Sequence, residues 1–411
     1  MLTTSVDSDG DGDASNCLTH DPGRCQFAAF DSAPSADLMR QKPNMWLLPV
    51  LGGAIAVGYN LPDHTDQLRI PREVLADIFL GKLSRWSELA PWNPALARVS
   101  ANISLVVRAD PSTSSEVFTR ALSRFSSGWK EANASSSRRP NWPRFDSTVR
   151  SETSMALHIR VTPYSLGYLS HMNAMVFEVP MAHISNNEKC RNGANDNSIG
   201  SSDLCFVAPS TLSIQAAMNG SAAKLKEQLD DQIALQMSPT QFALDIVNAN
   251  GTSSYPIAML GYFAFDPTTL SCDVLREVMY LIYWSWKDAE AAAAARDLDA
   301  SPITKQLYDT LLLALSTLKC NAENTTSLSN KPSFGVMNEV MYMYSPAIIG
   351  AGSTLPYAKA GRPRRRHRAH MHMHTSIALN HVGAQSLRGH TRLNAPCRFD
   401  AIRAVTVACH A

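Results

Sequence analysis

The sequence predicts an α/β fold. Residues 45–60 (MWLLPVLGGAIAVGYN) form a nearly continuous apolar run with a pair of glycines, a pattern typical of strands buried on both faces with a close backbone approach at the glycines. Residues 103–110 are rich in β-branched side chains and predict another strand, as do residues 165–171. Segments with helical spacing of apolar residues lie between these strands. Strands that alternate with amphipathic helices are the pattern of α/β proteins.

The predicted helices have recognisable starts and ends. One covers residues 72–81, directly after Pro71, and Gly81 is placed to end it. The serine cluster 112–115, followed by Glu116 and an apolar stripe, predicts the N-terminus of another. Further helices are predicted over residues 154–160, 238–247, 274–298 and 303–318, and a strand over residues 254–265.

Composition limits the kinds of partner. The chain has 411 residues, 45% of them hydrophobic, which is long enough for one two-lobed unit or two ordinary domains. Its 37 Lys and Arg residues balance 36 Asp and Glu residues, giving a net charge of +1. We therefore expect no nucleic-acid partner, and any anion recognition has to be local. The longest apolar run, residues 46–59, is shorter than the ~20 residues that span a bilayer, so no membrane span is expected.

Cysteines and sequons favour a eukaryotic secretory setting. The first sixteen residues are polar and acidic and contain no signal peptide, so the protein is either cytosolic or lacks its true start. Candidate disulfide pairs among the eight cysteines are Cys190–Cys205, Cys17–Cys25 and Cys272–Cys320, with connectivity open. The five Asn-x-Ser/Thr sequons begin at Asn102, Asn133, Asn219, Asn250 and Asn324.

No metal or cofactor is predicted. The cysteines lack zinc-type spacing. Four histidines lie in a basic tail without hydrophobic periodicity, residues 362–411, which we interpret as disordered or as mistranslated sequence beyond a gene-model error. The histidines are His367, His370, His372 and His374.

One strand-to-helix turn carries the strongest chemical signal. A strand ending at Arg108 and a helix beginning near Ser112 place unpaired N–H groups and hydroxyls around one point. That point attracts an oxyanion, Arg108 can add a two-pronged donor, and Asp110 would hold the guanidinium. The alternative is that the serines only cap the helix and that Arg108 is a surface residue. The chain has no G-x-S-x-G or H-E-x-x-H motif, so no catalysis is expected.

Several segments, in order, resemble the phosphate-binding (substrate-binding) proteins of ABC phosphate importers. They are residues 27–34 (FAAFDSAP), 73–86 (EVLADIFLGKLSRW), 103–122 (ISLVVRADPSTSSEVFTRAL) and 162–169 (TPYSLGYL). The resemblance covers roughly residues 5–325. It implies a periplasmic-binding-protein-like α/β fold of two lobes joined by crossover strands, with an anion in the cleft. We expect lobe I from about 1–61 and 236–330, and lobe II from about 62–235, within a domain of residues 1–330.

The family's phosphate contacts correspond to Arg108, Ser112, Thr113 and Ser114, and Asp31 matches the aspartate that accepts a hydrogen bond from protonated phosphate. Such a carboxylate favours phosphate over fully ionised sulfate. Three positions depart from the family pattern. Pro111, which has no N–H, and Thr113, whose Cβ crowds the anion, stand where the family has glycine. Asp13 stands where the family has a donating serine.

The family's opening anion loop is absent from the start of the chain and appears at residues 348–361 (IIGAGSTLPYAKAG). Residues 334–361 are therefore either the start of a second, truncated repeat or a strand that folds back as in a circular permutant. In the second case Thr354 would complete the site. The first interpretation makes the chain a fragment of a tandem-repeat protein.

The resemblance implies binding of phosphate or a similar oxyanion for uptake or sensing, with a membrane transporter or receptor as partner. The expected location is extracellular, at the cell surface or in the secretory lumen. The alternative is a sensory or adhesive ectodomain that keeps the fold without a ligand.

Overall fold

The fold was examined in a computed structural model that describes residues 4–7, 26–62, 64–133, 136–186, 206–234, 242–315 and 318. Strands and helices alternate along the described chain, which confirms the predicted α/β class. The strands are β1 (Thr4–Asp7), β2 (Phe27–Phe30), β3 (Trp46–Tyr59), β4 (Arg69–Ile70), β5 (Ser104–Arg108), β6 (Ser147–Val149), β7 (Ser165–Ser170), β8 (His183–Ser185), β9 (Phe206–Val207), β10 (Ala258–Phe265) and β11 (Ser301–Pro302).

The helices are α1 (Ala36–Gln41), α2 (Arg72–Phe79), α3 (Thr113–Phe125), α4 (Ser127–Asn133), α5 (Glu152–Val161), α6 (His171–Val176), α7 (Thr211–Ala234), α8 (Cys272–Lys287), α9 (Ala289–Asp297) and α10 (Lys305–Leu315). Two 3-10 turns lie at Trp86–Leu89 and Pro94–Arg98. Gly81 follows α2 with a φ of +78°, a left-handed conformation that favours glycine, as the predicted helix end requires.

The long strand β3 connects the two halves of the main sheet. The described strands of that sheet have the order β1-β2-β10-β3-β7-β5-β6, with β11 also beside β3, and a smaller sheet has the order β4-β8-β9. The first part of β3 pairs antiparallel with β10, and its last part, from Ile55 to Tyr59, pairs antiparallel with β7. Nearly every β3 residue is buried, which confirms the prediction of a strand covered on both faces.

The glycine pair in β3 permits a close approach by a helix. A Cβ on Gly52 would lie 2.7 Å from Cγ2 of Ile214 and 3.0 Å from Cε of Met218, both on α7. Only a residue without a side chain lets α7 pack this closely onto the strand. The sequence analysis did not predict α7, in which Asn219, Gly220 and Ser221 interrupt the apolar pattern.

Two helix predictions were wrong in part. Residues 242–247, the described part of the helix predicted over 238–247, form neither helix nor strand, and Val247 lies in a turn. Phe242 donates its N–H to the carbonyl of Leu47, and the buried side chains alternate as in a strand. The helix predicted over 274–298 is two helices, because Asp288 ends α8 and caps α9 through its side chain.

The lobe boundaries stay a prediction. The predicted boundary at residue 235 would put α7 in lobe II, whereas α7 packs against β3, β11 and α10. Asp13, Thr354, residues 334–361 and the tail 362–411 lie outside the described residues. No helix in the described part of the chain is long and apolar enough to cross a membrane.

An aromatic cluster forms the core beside α3. Phe118 of α3 lies against Phe79 and Tyr168, and Trp142 lies beside all three rings. Aromatic pairs of this kind add about 0.5–1.5 kcal/mol each beyond their buried area. Because Tyr168 is on β7 and Phe118 is on α3, the cluster holds the start of the helix against the end of the strand.

Candidate functional site

The sheet topology brings strand ends from both lobes to one cavity. β2 and β3 run in the same direction, because each is antiparallel to β10, whereas β7 is antiparallel to β3 and β5 is parallel to β7. The carboxyl end of β2 therefore faces the carboxyl ends of β5 and β7. A cavity of about 110 Å³ lies between them, and Asp31, Arg108, Ser112, Thr113 and Ser114 line it.

Arg108 is the buried cation of the cavity. It is the last residue of β5, and only 5% of its surface is exposed. Its Nε lies 2.7 Å from Oδ1 of Asp110 and its second terminal nitrogen 2.5 Å from Oδ2, so the predicted pairing is present as a two-pronged bond. Burial alone would lower the pKa of Arg108, but the hydrogen bond to Asp110 and the nearby carboxylate charges outweigh it and raise that pKa.

Asp110 does not line the cavity but orients Arg108. Burial acts to raise the pKa of Asp110, and the hydrogen bond and charge of Arg108 overcome this effect and lower it. The guanidinium and carboxylate therefore both stay ionised at neutral pH. Asp110 holds one edge of the guanidinium, which leaves N–H groups of the other edge for further acceptors.

The N-terminus of α3 supplies main-chain donors. Ser112 caps the helix, with its Oγ accepting from the N–H of Ser115 at 3.0 Å. Among the described residues, the N–H groups of Thr113 and Ser114 have no hydrogen-bond partner. Both residues lie in the first turn of a 13-residue helix and line the cavity. Two amide donors and the positive end of the helix dipole are therefore located at the cavity.

The serine hydroxyls have internal partners. Ser112 Oγ donates to Ser115 Oγ at 2.9 Å, and Ser115 Oγ lies 2.7 Å from the hydroxyl of Tyr168. That tyrosine hydroxyl also accepts from the N–H of Arg108 at 3.1 Å. Burial raises the pKa of Tyr168, so it remains protonated. This chain of hydrogen bonds fixes the end of β5 relative to the start of α3.

Glu152 is a site residue that the sequence analysis missed. One of its oxygens, Oε1, accepts from a terminal nitrogen of Arg108 and from Oγ of Ser114, both at 2.6 Å. The other, Oε2, accepts from the N–H of Ser170 at 2.8 Å. A glutamate in the first turn of a helix is ordinarily explained by the helix dipole. Its sequence context therefore gave no sign that it lies in the cavity.

His171 also lines the cavity and was not predicted. Its Nδ1 lies 3.1 Å from the carbonyl oxygen of Asp299, which can only accept. In the neutral imidazole, Nδ1 therefore carries the proton and Nε2 is an acceptor. Burial lowers the pKa of His171, although the Asp299 carbonyl acts in the opposite direction.

The charged groups of the site do not make it strongly cationic. One guanidinium faces the carboxyl groups of Asp31, Asp110 and Glu152. Further positive potential comes from the main-chain amides of α3 and from Arg150, which acts on Asp110 through its charge. Within the described residues, no group of three or more His, Cys, Asp or Glu side chains could hold a metal ion.

A family model described as "PBP superfamily domain" matches residues 3–267. The chain belongs to the PBP superfamily. The match spans β1 to β10 and so includes Asp31, Arg108, Glu152 and the start of α3, which line the cavity. The resemblance noted for segments 27–34 to 162–169 is thereby confirmed at the level of the family.

Bacterial phosphate-binding proteins named PstS are among the relatives of this PBP-superfamily chain. The Pasteurella multocida protein is 26% identical over 289 residues, which cover 68% of this chain and 73% of that protein. The Haemophilus influenzae protein is 27% identical over 288 residues, which cover 69% of this chain and 76% of that protein. A putative serine/threonine-protein kinase/receptor, R818 of Acanthamoeba polyphaga mimivirus, is 25% identical over 361 residues, which are 81% of this chain but 20% of that protein.

Solved structures share the fold of this PBP-superfamily chain. A DING protein aligns with a TM-score of 0.53 and 17% identity, covering 78% of this chain and 85% of that one. A human phosphate binding apolipoprotein gives the same values. These likenesses confirm the two-lobed architecture.

Proposed function

We propose that this chain binds an inorganic oxyanion, phosphate above all, in the cavity between the carboxyl ends of β2 and β5. The observation that carries the proposal is the convergence of three donors. One cavity is lined by three residues that offer donors. They are Thr113 and Ser114, whose main-chain amides have no partner among the described residues, and the buried, ionised Arg108. Helix N-terminal amides with an arginine fork are a recurrent oxyanion site. The names of the PstS relatives and of the solved structures support phosphate as the anion.

Asp31 gives the site its preference within the oxyanions. A carboxylate can accept a hydrogen bond from the hydroxyl of protonated phosphate, whereas it repels an ion that carries no proton. We extend the proposal to Thr354, if the segment 348–361 docks at the site, and to Asp13, whose carboxylate repels phosphate unless it is protonated or turned away. No catalysis is proposed, since the PstS relatives are named for binding.

Titration calorimetry on the full 411-residue chain tests the proposal. We expect saturable heat with phosphate and none with sulfate at the same concentration and pH. The substitution Arg108→Lys keeps the charge but loses the fork, and we expect it to weaken phosphate binding about tenfold or more. Absence of heat at millimolar phosphate with a folded wild-type chain would contradict phosphate binding.

For the biological role we propose sensing or uptake outside the cytosol. The described Cys272 is disulfide-bonded, which supports an oxidising compartment. The R818 relative carries a matching region within a much longer protein named as a kinase or receptor, which supports a receptor or transporter as partner.

A second candidate is an ectodomain that keeps the fold without a ligand. It is favoured by Pro111, which cannot donate a main-chain N–H, and by the internal partners of the Ser112 and Ser114 hydroxyls. The same calorimetry separates the two candidates, because this one requires that neither phosphate nor sulfate produce heat.

A further inference from the structure

Glu152 lies among the groups of the cavity that we propose to donate hydrogen bonds to the anion. Its carboxylate contacts Arg108 and Ser114 at 2.6 Å each and the N–H of Ser170 at 2.8 Å. These partners come from β5, α3 and the end of β7, so the carboxylate touches the three elements that form this side of the cavity. Its side chain is 17% exposed and lines the cavity, where a ligand can reach it.

A purely structural role explains Glu152 poorly. Asp110 already holds Arg108 through two hydrogen bonds and balances its charge. Glu152 adds a second carboxylate to the same guanidinium in a partly buried place, and Arg150, a further cation near this pair, is exposed and acts through its charge on Asp110. The second carboxylate is costly unless another group compensates its charge.

The backbone conformation of Ser151 also supports a role for Glu152 beyond holding Arg108. Ser151, which caps α5 immediately before Glu152, has a φ of 154° and a ψ of 161°. That region is occupied almost only by glycine, and a serine held there costs about 1–3 kcal/mol. Strain of this kind persists where the surrounding structure requires one side-chain position.

The hydrogen-bond capacity of Glu152 leaves room for a ligand. A carboxylate offers about four acceptor sites, and the protein contacts described above use three of them. Phosphate has hydroxyl protons to donate at neutral pH, whereas sulfate has none. A ligand hydroxyl that donates to Glu152 would fill the remaining acceptor site with a hydrogen bond to the charged group.

We propose that Glu152 is a second specificity-determining acceptor, which with Asp31 makes the site select an oxyanion that carries two donating hydroxyls. The inference rests on the proposed function, because it names the protonation state of the anion bound at that site. Asp31 approaches from β2 and Glu152 from α5, so the two acceptors lie on opposite lobes of the cavity. If the lobes close around a doubly protonated anion, each of the two carboxylates accepts a hydrogen bond from one ligand hydroxyl.

The test compares phosphate and sulfate binding to the full-length wild type and to Glu152→Gln. Glutamine has nearly the same shape and keeps one oxygen acceptor, but it has no charge and can donate to an ion without protons. Glu131→Gln is the matched control, because Glu131 is exposed on α4 and lies outside the cavity. Thermal unfolding of each variant checks that the folds are comparable, and Glu152→Asp tests rescue by a shorter carboxylate.

We expect Glu152→Gln to bind phosphate about tenfold more weakly, since a hydrogen bond to a charged group has about this effect. The phosphate-to-sulfate affinity ratio should fall, although Asp31 still disfavours sulfate. Glu131→Gln should behave as wild type, and Glu152→Asp should still reject sulfate. A phosphate-to-sulfate affinity ratio unchanged in Glu152→Gln would overturn the inference and leave phosphate binding intact. A wild type that binds neither anion would overturn the proposed function and this inference together.

Discussion

The ring of Phe118 stacks on the ring of Tyr168 with their centroids 4.6 Å apart and their planes 8° from parallel. The contact joins α3 to β7. Since the hydroxyl of Tyr168 is also bonded to Arg108 and Ser115, one aromatic pair connects the hydrophobic core to the end of β5 and the start of α3. The position of the site thus depends on core packing.

Replacing Phe118 with alanine should lower the free energy of unfolding by about 3–5 kcal/mol, because a fully buried ring is lost and a cavity remains. Denaturant unfolding followed by fluorescence measures the change. Phe145 is 50% exposed, and Phe145→Ala should change stability by less than about 0.5 kcal/mol. Equal losses in the two variants would show that the ring pair does not anchor the helix.

The main-chain donor of Thr113 can be removed without deleting a side-chain contact in the core. Thr113 is the first residue of α3, where proline is well tolerated, and the extended backbone of Ser112 suits a following proline. Thr113→Pro should weaken phosphate binding about tenfold or more by titration calorimetry, since one donor to a charged ligand is lost.

The matched control is Ala36→Pro at the first residue of α1, which is exposed and outside the cavity. It makes the same substitution at the same helix position and should leave phosphate affinity unchanged. Full phosphate affinity in Thr113→Pro would mean that this amide does not contact the anion.

Asp110 should make stability depend on acid pH. Its pKa is lower in the folded than in the unfolded chain, although burial opposes this, because Arg108 bonds to it. As the pH falls, the unfolded chain therefore takes up this proton first. The stabilisation is present above the unfolded pKa of about 4 and is lost as the pH falls through the folded value.

We expect Asp110→Asn to be less stable than wild type near neutral pH, with a difference that shrinks as the pH falls below about 4. Urea unfolding across this pH range measures it. Asp66→Asn, at an exposed aspartate, is the control and should follow the wild-type curve. A difference independent of pH would argue against the ion pair with Arg108.

Cys272 should be linked to Cys320. Cys272 is disulfide-bonded, and since it is the single cysteine among the described residues, its partner lies outside them. Peptide mapping without reductant should recover a linked pair that contains these two cysteines. Loss of this disulfide in Cys272→Ser should lower the free energy of unfolding by about 2–4 kcal/mol. Recovery of Cys272 linked to another cysteine would contradict the pairing.

Local patterns predicted most of the elements around the site. The buried run of β3, the end of α2 at Gly81 and the cap of α3 at Ser112 depend on residues that are near one another in the sequence. The helix predicted over residues 238–247 failed because Phe242 and Leu244 pack against distant strands. α7 was missed because Asn219, Gly220 and Ser221 interrupt its apolar pattern, although its buried residues, from Ile214 to Leu225, lie on one face of the helix.

By itself the sequence determined the α/β class, the strand-to-helix turn from Arg108 to Ser114 and the pairing of Arg108 with Asp110, which are two residues apart. These features follow from short-range backbone preferences and capping. Only the tertiary structure decided that Glu152, 44 positions from Arg108, and His171 enter the same cavity. Their places depend on how β5 and β7 pair and on which strand ends face each other. Such long-range contacts leave no periodic signal in the chain.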